Sequence, residues 1–395
     1  MHDHPANPLV RLLDGTFYAS DPHPHFQWMR EHAPVYWDAT GEVWGIAGYA
    51  DVLAISKDPQ TFCSRGGIRP DAPALPHMID MDDLDHRQRR ALVSKGFTAR
   101  QVQEREPRIR AIAIDLIDRA KACERFDFVK EIAAWLPLIV IGDMLGVEAA
   151  HYDDLLRWSD DMVLGTGAIA LERMQRASQA FDEYLDYQRR VIASRRAKPL
   201  ENDLVSVLVH ADVDGEKLTD AELLMESLLI LIGGDETTRH VITGGMYQLL
   251  KHPEQRLALA QDPSAIPTAV EEMLRWVSPI QNMARTASRD VVLRGQTIEA
   301  GQKVLLLYPS ANRDASVFPD PFTFDIARAS NEHLAFGFGA HFCLGASLAR
   351  LELRVVFEEI LRRMPNLELL GHDPPPLRVS NFITGIEELL VAHRG

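Results

Sequence analysis

The chain has 395 residues, three cysteines and a formal charge of −15. That charge disfavours nucleic acid as a partner, and Cys63, Cys123 and Cys343 lie far apart with no CxxC pair, which argues against a disulfide framework or a zinc site and for a reducing, cytoplasmic setting. Residues 1–10 (MHDHPANPLV) lack the apolar stretch of a secretory signal, and no apolar run reaches the ~18–20 residues of a bilayer span, so no membrane anchor is expected.

In chain order, a strand is expected over 43–47, just before Gly48, and a Gly- and Pro-rich segment follows at 66–76. His86 and Arg90, four apart, fall on a short helix and can point one way. Apolar residues recur at three- and four-residue spacing over 104–122, 149–163, 171–197 and 219–251, which predicts long helices. The run 132–141 reads as a buried helix. Thr219 with Glu222 three residues on forms a capping box at the start of the longest helix. Strands over 291–293 and 297–298 flank a turn at 294–296, a further strand is expected at 304–308, and a helix at 346–364. The expectation is a mainly α chain with a smaller β region, one domain over 1–395.

Residues 336–346 (FGFGAHFCLGA) carry the strongest chemical signal. For a lone cysteine a buried core thiol is the default. Here Cys343 stands just before a helix, where free N–H groups and the positive end of the dipole favour a thiolate. Glycines at 337, 339 and 345 allow backbone to pass close to a flat ligand. A thiolate of this kind suits a haem iron that cleaves O–O bonds. Phe336, Gly339, Cys343 and Gly345 match F-x-x-G-x-x-x-C-x-G, and with them the chain resembles the cytochrome P450 family of haem-thiolate monooxygenases.

That resemblance implies roles for residues elsewhere. Glu272 and Arg275 fit E-x-x-R, in the family a buried structural pair behind the cysteine loop, with an arginine of 311–328, Arg328, as third partner. Residues 233–238 (GGDETT) fit the family's acid–alcohol pattern, with Glu236 as acid, Thr237 as alcohol and Thr238 next to it. There the two mid-helix glycines mean either tight packing or a local opening of the helix over the iron. The haem b cofactor would take Cys343 as iron ligand, with His86, Arg90, Arg285 and His341 toward its propionates and Phe336 and Gly337 against its face.

By family position the substrate contacts are Ile68, Met78, Leu229, Gly233, Val277, Ile280, Met283 and Phe382, an apolar set. Glu226 beside them faces outward or into a polar contact. Stretches such as LILIGGDETTRH and EEMLRW resemble the actinobacterial P450s that hydroxylate the terminal side-chain methyl (C26/C27) of cholesterol or cholest-4-en-3-one, with possible further oxidation to the acid. Another large apolar substrate (a terpene, fatty acid or polyketide), a peroxide-driven enzyme, and a haem carrier or sensor stay open. With no flavin or iron–sulfur segment in view, electrons should come from a ferredoxin and its reductase. Between His86 and Arg110, eight cations (Arg87, Arg89, Arg90, Lys95, Arg100, Arg105, Arg108, Arg110) face two glutamates, either a docking patch for an acidic partner or a solvated face.

Overall fold

The computed structural model describes residues 4–164, 171–200 and 203–393, so the expectations over 1–10 and 1–395 include residues outside the described ones. Its axis is the helix Asp220–Lys251, about 48 Å long at 1.5 Å per residue. Thr219 starts it: its hydroxyl accepts from Glu222 N, and the Glu222 carboxylate accepts from Thr219 N at 2.8 Å. Apolar side chains around much of its circumference are buried, because helices Trp135–Met144, Leu171–Ala197, Ile266–Val277 and Ala346–Arg363 pack against it on several sides.

The expected helices form, with three differences. The 104–122 pattern starts later, as Glu106–Ala120 with Pro107 in its first turn, and a separate short helix, Ala99–Glu104, precedes it. A π-helical turn, Val129–Ala133, precedes Trp135–Met144 where 132–141 predicts one helix. A 3-10 turn, Ala149–His151, leads into Tyr152–Leu164.

The β region is small. One sheet orders the strands Val35–Asp38, Val43–Ile46, Lys303–Leu306, Met283–Ala287 and Phe62–Cys63, with only the Val43–Ile46 and Lys303–Leu306 pair parallel among its described neighbours. Strand alternation sends Met283 and Arg285 to one face, and that face meets the cavity. Val291–Leu293 and Gln296–Ile298 make the expected hairpin, its turn shortened to Arg294-Gly295, both at positive φ. A second sheet joins Arg125–Asp127, Leu390–His393 and Leu367–Leu369.

The helix Ile266–Val277 carries the main buried charges. Both Glu272 and Arg275 are fully buried and bonded at 2.6 and 2.7 Å. Glu272 also accepts from Arg328 Nε at 3.1 Å, Asn331 Nδ2 at 3.0 Å and Asp325 N at 3.0 Å. Arg275 spends its remaining donors on the carbonyls of Asn312, Pro321 and Thr323. Arg313, which the sequence did not single out, is also buried, 4.0 Å above the Trp276 ring, and donates to the carbonyls of Arg275 and Trp276. Removing one member of such a cluster strands the others in low dielectric. Glu272→Ala should therefore lower stability by about 3–5 kcal/mol. Urea unfolding of the haem-loaded protein checks this, and a loss under about 1 kcal/mol would show that the cluster is solvated.

Candidate active site

Where the middle of the long helix faces the cysteine loop there is a cavity. Its wall includes His86, Arg90, Leu229, Gly233, Thr237, Thr238, Ile280, Met283, Arg285, Tyr308 and residues 335–337 and 341–345 of the loop. The loop is fixed from behind. Arg350, one helical turn into Ala346–Arg363, stacks 4.7 Å over Phe336 and makes two 2.7 Å bonds to Glu271. Burial would raise the Glu271 pKa, but Arg350 and His333 bring it down to about 2, so the carboxylate stays charged and the clasp stays closed at neutral pH. Gly337 and Gly339 take positive φ, and a Cβ on Gly339 would lie 2.2 Å from the Ser56 carbonyl oxygen. Glycine there lets the loop pass the helix Tyr49–Ser56.

Cys343 N donates to Phe336 O at 2.9 Å, turning the thiol into the cavity wall. Burial pushes the Cys343 thiol up, while the Gly345 and Ala346 N–H groups and the charges of Arg90 and Arg350 act the other way. Coordination to a metal deprotonates such a thiol outright. A Cβ on Gly345 or Gly233 would meet nothing within 4 Å, so the wall is open both beside the cysteine and on the long helix opposite.

The polar end of the cavity gathers His86, Arg90, Arg285 and His341. The rings of His86 and His341 lie 4.2 Å apart, and His86 Nε2 is buried without a partner. Burial, then the nearby arginine charges, depress both imidazoles, His341 to about 3. The positive charge offered there is thus that of the arginines, with the imidazoles as neutral hydrogen-bond groups. Ser64, unmarked by the sequence pattern, joins them 3.2 Å from His341 Nε2. Carboxylates of a flat ligand with its face on the thiol fit this end. The donor set, the orphaned His86 nitrogen and the open wall at Gly345 together fit a haem.

On the long helix the two glycines act separately. The helix runs unbroken through them, with the Thr237 hydroxyl donating to Gly233 O at 2.8 Å, so it does not open as one of the two readings expected. Gly234 is tight packing, since a Cβ there would sit 2.9 Å from Ile141. Gly233 faces cavity space. Glu236 points elsewhere and is absent from the cavity wall. Fully buried, it pairs with Arg378 and with Arg239 at 3.4 Å, beside His240 at 3.5 Å. Burial alone would raise its pKa, but His240, Arg378 and Arg239 overcome this and hold it well below the usual carboxylate range.

Ile68, Met78, Leu229, Gly233, Ile280 and Met283 lie in the wall; Val277 and Phe382 do not. Val277 turns to the long helix, where a Cβ on Gly244 would lie 2.6 Å from it. Phe382 lies under the Arg69 guanidinium at 5.0 Å. The basic stretch is largely neutralised, by its own two glutamates and by distant acids: Arg100 bonds Glu104, Arg108 bonds Asp143, and Arg110 bonds Glu106, Glu358 and Glu359. Arg89 is buried against Glu222 and Glu226, while Arg87 is exposed.

The profile of the Cytochrome P450 family matches residues 76–268 and 264–386. The chain belongs to the cytochrome P450 family. It is 50% identical over 389 residues to the steroid C26-monooxygenase of Mycobacterium tuberculosis strain H37Rv, covering 97% of each chain. Against the steroid C26-monooxygenase of Mycolicibacterium smegmatis it is 48% identical, over 98% of this chain and 96% of the other. A solved structure, the Bacillus subtilis bacillaene polyketide synthase cytochrome P450 PksS, superposes with a TM-score of 0.90 at 33% identity, over 99% of this chain and all of that one. As a P450 this chain is a haem b monooxygenase with a mainly helical fold. No helix among the described residues is long and apolar enough to cross a membrane.

Glu226 braces one cavity residue, Met78. It is fully buried, not outward-facing, and accepts from Met78 N at 2.9 Å and Arg89 Nη1 at 3.1 Å, holding the turn Met78–Asp80 against the long helix. Burial, opposed by Arg89, raises its pKa from 4.5 to about 7. The folded state therefore binds this proton more tightly than the unfolded chain. The stability this contributes is complete below pH 4.5 and is lost as pH rises through about 7, a difference of about 3 kcal/mol. Urea titrations across that window should show the decline in the wild type and a flatter profile in Glu226→Gln; identical slopes would contradict the assignment.

Proposed function

We propose that this P450 hydroxylates the terminal side-chain methyl (C26/C27) of cholesterol or cholest-4-en-3-one, with further oxidation toward the acid open to it. The observation that carries the reading is the character of the wall. Ile68, Met78, Ile79, Leu229, Ile280 and Met283 surround the space in front of Gly233, with Thr237 and Thr238 as the polar groups on that stretch of the long helix. Such a wall selects by shape and water exclusion, which suits an aliphatic tail entering first. The steroid C26-monooxygenase relatives, at 48–50% identity, support the same substrate class.

Cys343 is the iron ligand in this reading. His86, Arg90, Arg285 and His341 hold the propionates, Phe336 and Gly337 pack beside the macrocycle, and haem b, when bound, supplies the activation of dioxygen. The balance is one substrate C–H, one O2, two protons and two electrons giving one alcohol and one water. The apolar residues hold the terminal methyl in place and keep bulk water out. The Thr237 hydroxyl, held by Gly233 O at rest, is the hydrogen-bonding group that orders protons in front of the substrate. Electrons come from a separate ferredoxin and its reductase. The loop of Cys343 reaches the surface at Phe338, 41% exposed beneath Lys57 Nζ, and with the exposed Arg87 this gives a weakly basic face for an acidic donor. The chain is read as one domain in the cytoplasm.

Titration with cholest-4-en-3-one should displace water from the ferric iron and shift the absorption band, and turnover with ferredoxin and reductase should yield the C26/C27 alcohol. A steroid that produces no shift while a straight-chain fatty acid does would move the substrate class. Thr237→Ala should bind the steroid as the wild type does and divert most electrons to hydrogen peroxide; coupled product formation in that variant would remove Thr237 from the reaction.

A further inference from the structure

Above pH 7 the buried side chain of Glu226 does little for stability. Only its Oε1 is used, by Met78 N and Arg89 Nη1, while Oε2 is buried without a partner. A half-satisfied buried carboxylate breaks a rule of stable packing, and such breaks concentrate where the geometry they impose is used. Glu226, Leu229, Gly233 and Thr237 are spaced by three and four residues, so they share one stripe of the long helix. The last three line the cavity, and Glu226, seven residues before Gly233, stands about 10 Å from it along the axis. There it accepts from Met78 N at 2.9 Å, at the start of the turn Met78–Asp80. The turn ends in Asp80, whose two oxygens accept from Ile68 N and Leu75 N, both at 2.8 Å. One carboxylate thus ties three wall residues, Ile68, Met78 and Ile79, to the long helix. Arg89 keeps Glu226 in this pose. It is 9% exposed, lies on the helix Asp83–Val93 with His86 and Arg90, and also bonds Glu222, one turn before Glu226.

We propose that Glu226 determines which carbon is oxidised: by fixing Met78 against the long helix it sets how deep a ligand enters the cavity. Arg89 is its positioning partner. The reacting end lies between Cys343 and Gly233, whereas Met78 is anchored two helical turns away, where the body of a long ligand rests and not its tip. Met78 and Ile79 act there as a stop. With the stop fixed, a terminal methyl is the carbon left facing Gly233 and Thr237. With the stop released, the ligand slides by a methylene or more and in-chain carbons come forward. The steroid as substrate rests on the function proposed for this cavity; the stop itself does not depend on it.

Product analysis of the haem-loaded enzyme with ferredoxin and reductase tests this, using cholest-4-en-3-one and, separately, a straight-chain fatty acid. Glu226→Met fills similar space without an acceptor for Met78 N. It should lower the ratio of terminal to in-chain alcohol about tenfold, the scale of one misplaced methylene. Glu226→Gln keeps an amide oxygen for Met78 N and should recover most of the ratio. A carboxylate that only stabilised the fold would change urea midpoints and leave the ratio alone. The reduced, CO-bound spectrum verifies that each variant is folded. If Glu226→Met is not, Arg89→Met takes its place and should move the ratio the same way. An unchanged ratio in the folded variant would overturn the proposal, and so would a ratio that falls as far in Glu226→Gln as in Glu226→Met. A wild type that oxidises the terminus of the fatty acid but not the steroid contradicts the steroid reading alone, since the ratio is still read on the acid. A wild type without terminal preference on either compound would overturn the stop.

Discussion

The position of one thiol depends on a carboxylate that never touches it. Glu272 is fully buried, and its two oxygens are shared among Arg275, Arg328, Asn331 and the Asp325 N–H. These groups come from the helix Ile266–Val277 and from the irregular segment before the cysteine loop. Its chain neighbour Glu271 grips Arg350, which grips Phe336. Two adjacent glutamates thus join the helix, the segment and the loop into one unit. A charge buried this deeply is tolerable only if every lone pair is used. That demand fixes the backbone that presents Cys343.

Around the thiol the cavity divides by chemistry. One end is cationic and neutral-imidazole, suited to carboxylates. The opposite wall is apolar, suited to a hydrocarbon. Between them the long helix must stay apolar to position a substrate and yet admit protons. The structure separates these demands around the helix. Gly233 and Thr237 face the cavity, Glu236 faces an arginine network, and Asp235 faces Ser159. Three consecutive positions therefore carry three electrostatic states, because successive residues on a helix are rotated by about 100°.

Much of this was legible in the sequence where the determinants are local. The capping box at Thr219, the loop of Cys343 and the Glu272–Arg275 spacing each depend on residues within one or two turns of each other, and the structure brings them together as read. Long-range partners were not legible. Nothing near Arg110 announces Glu358 and Glu359, which neutralise it from more than two hundred residues away. Glu352 reads as an ordinary helix-surface acid, yet it is only 3% exposed on the helix Ala346–Arg363. Val277 was misplaced because, as the last residue of the helix Ile266–Val277, it packs against Gly244 of the long helix, a long-range contact that its own segment does not announce.

The central claim is that Cys343, as thiolate, holds the haem iron. The absorption spectrum of the reduced, CO-bound protein tests it most directly, because the far-red-shifted haem band requires thiolate ligation of the iron. The account predicts that band in the wild type and its loss in haem-loaded Cys343→Ser. Folded wild-type protein without the band, or a Cys343→Ser variant that keeps it, would contradict the account.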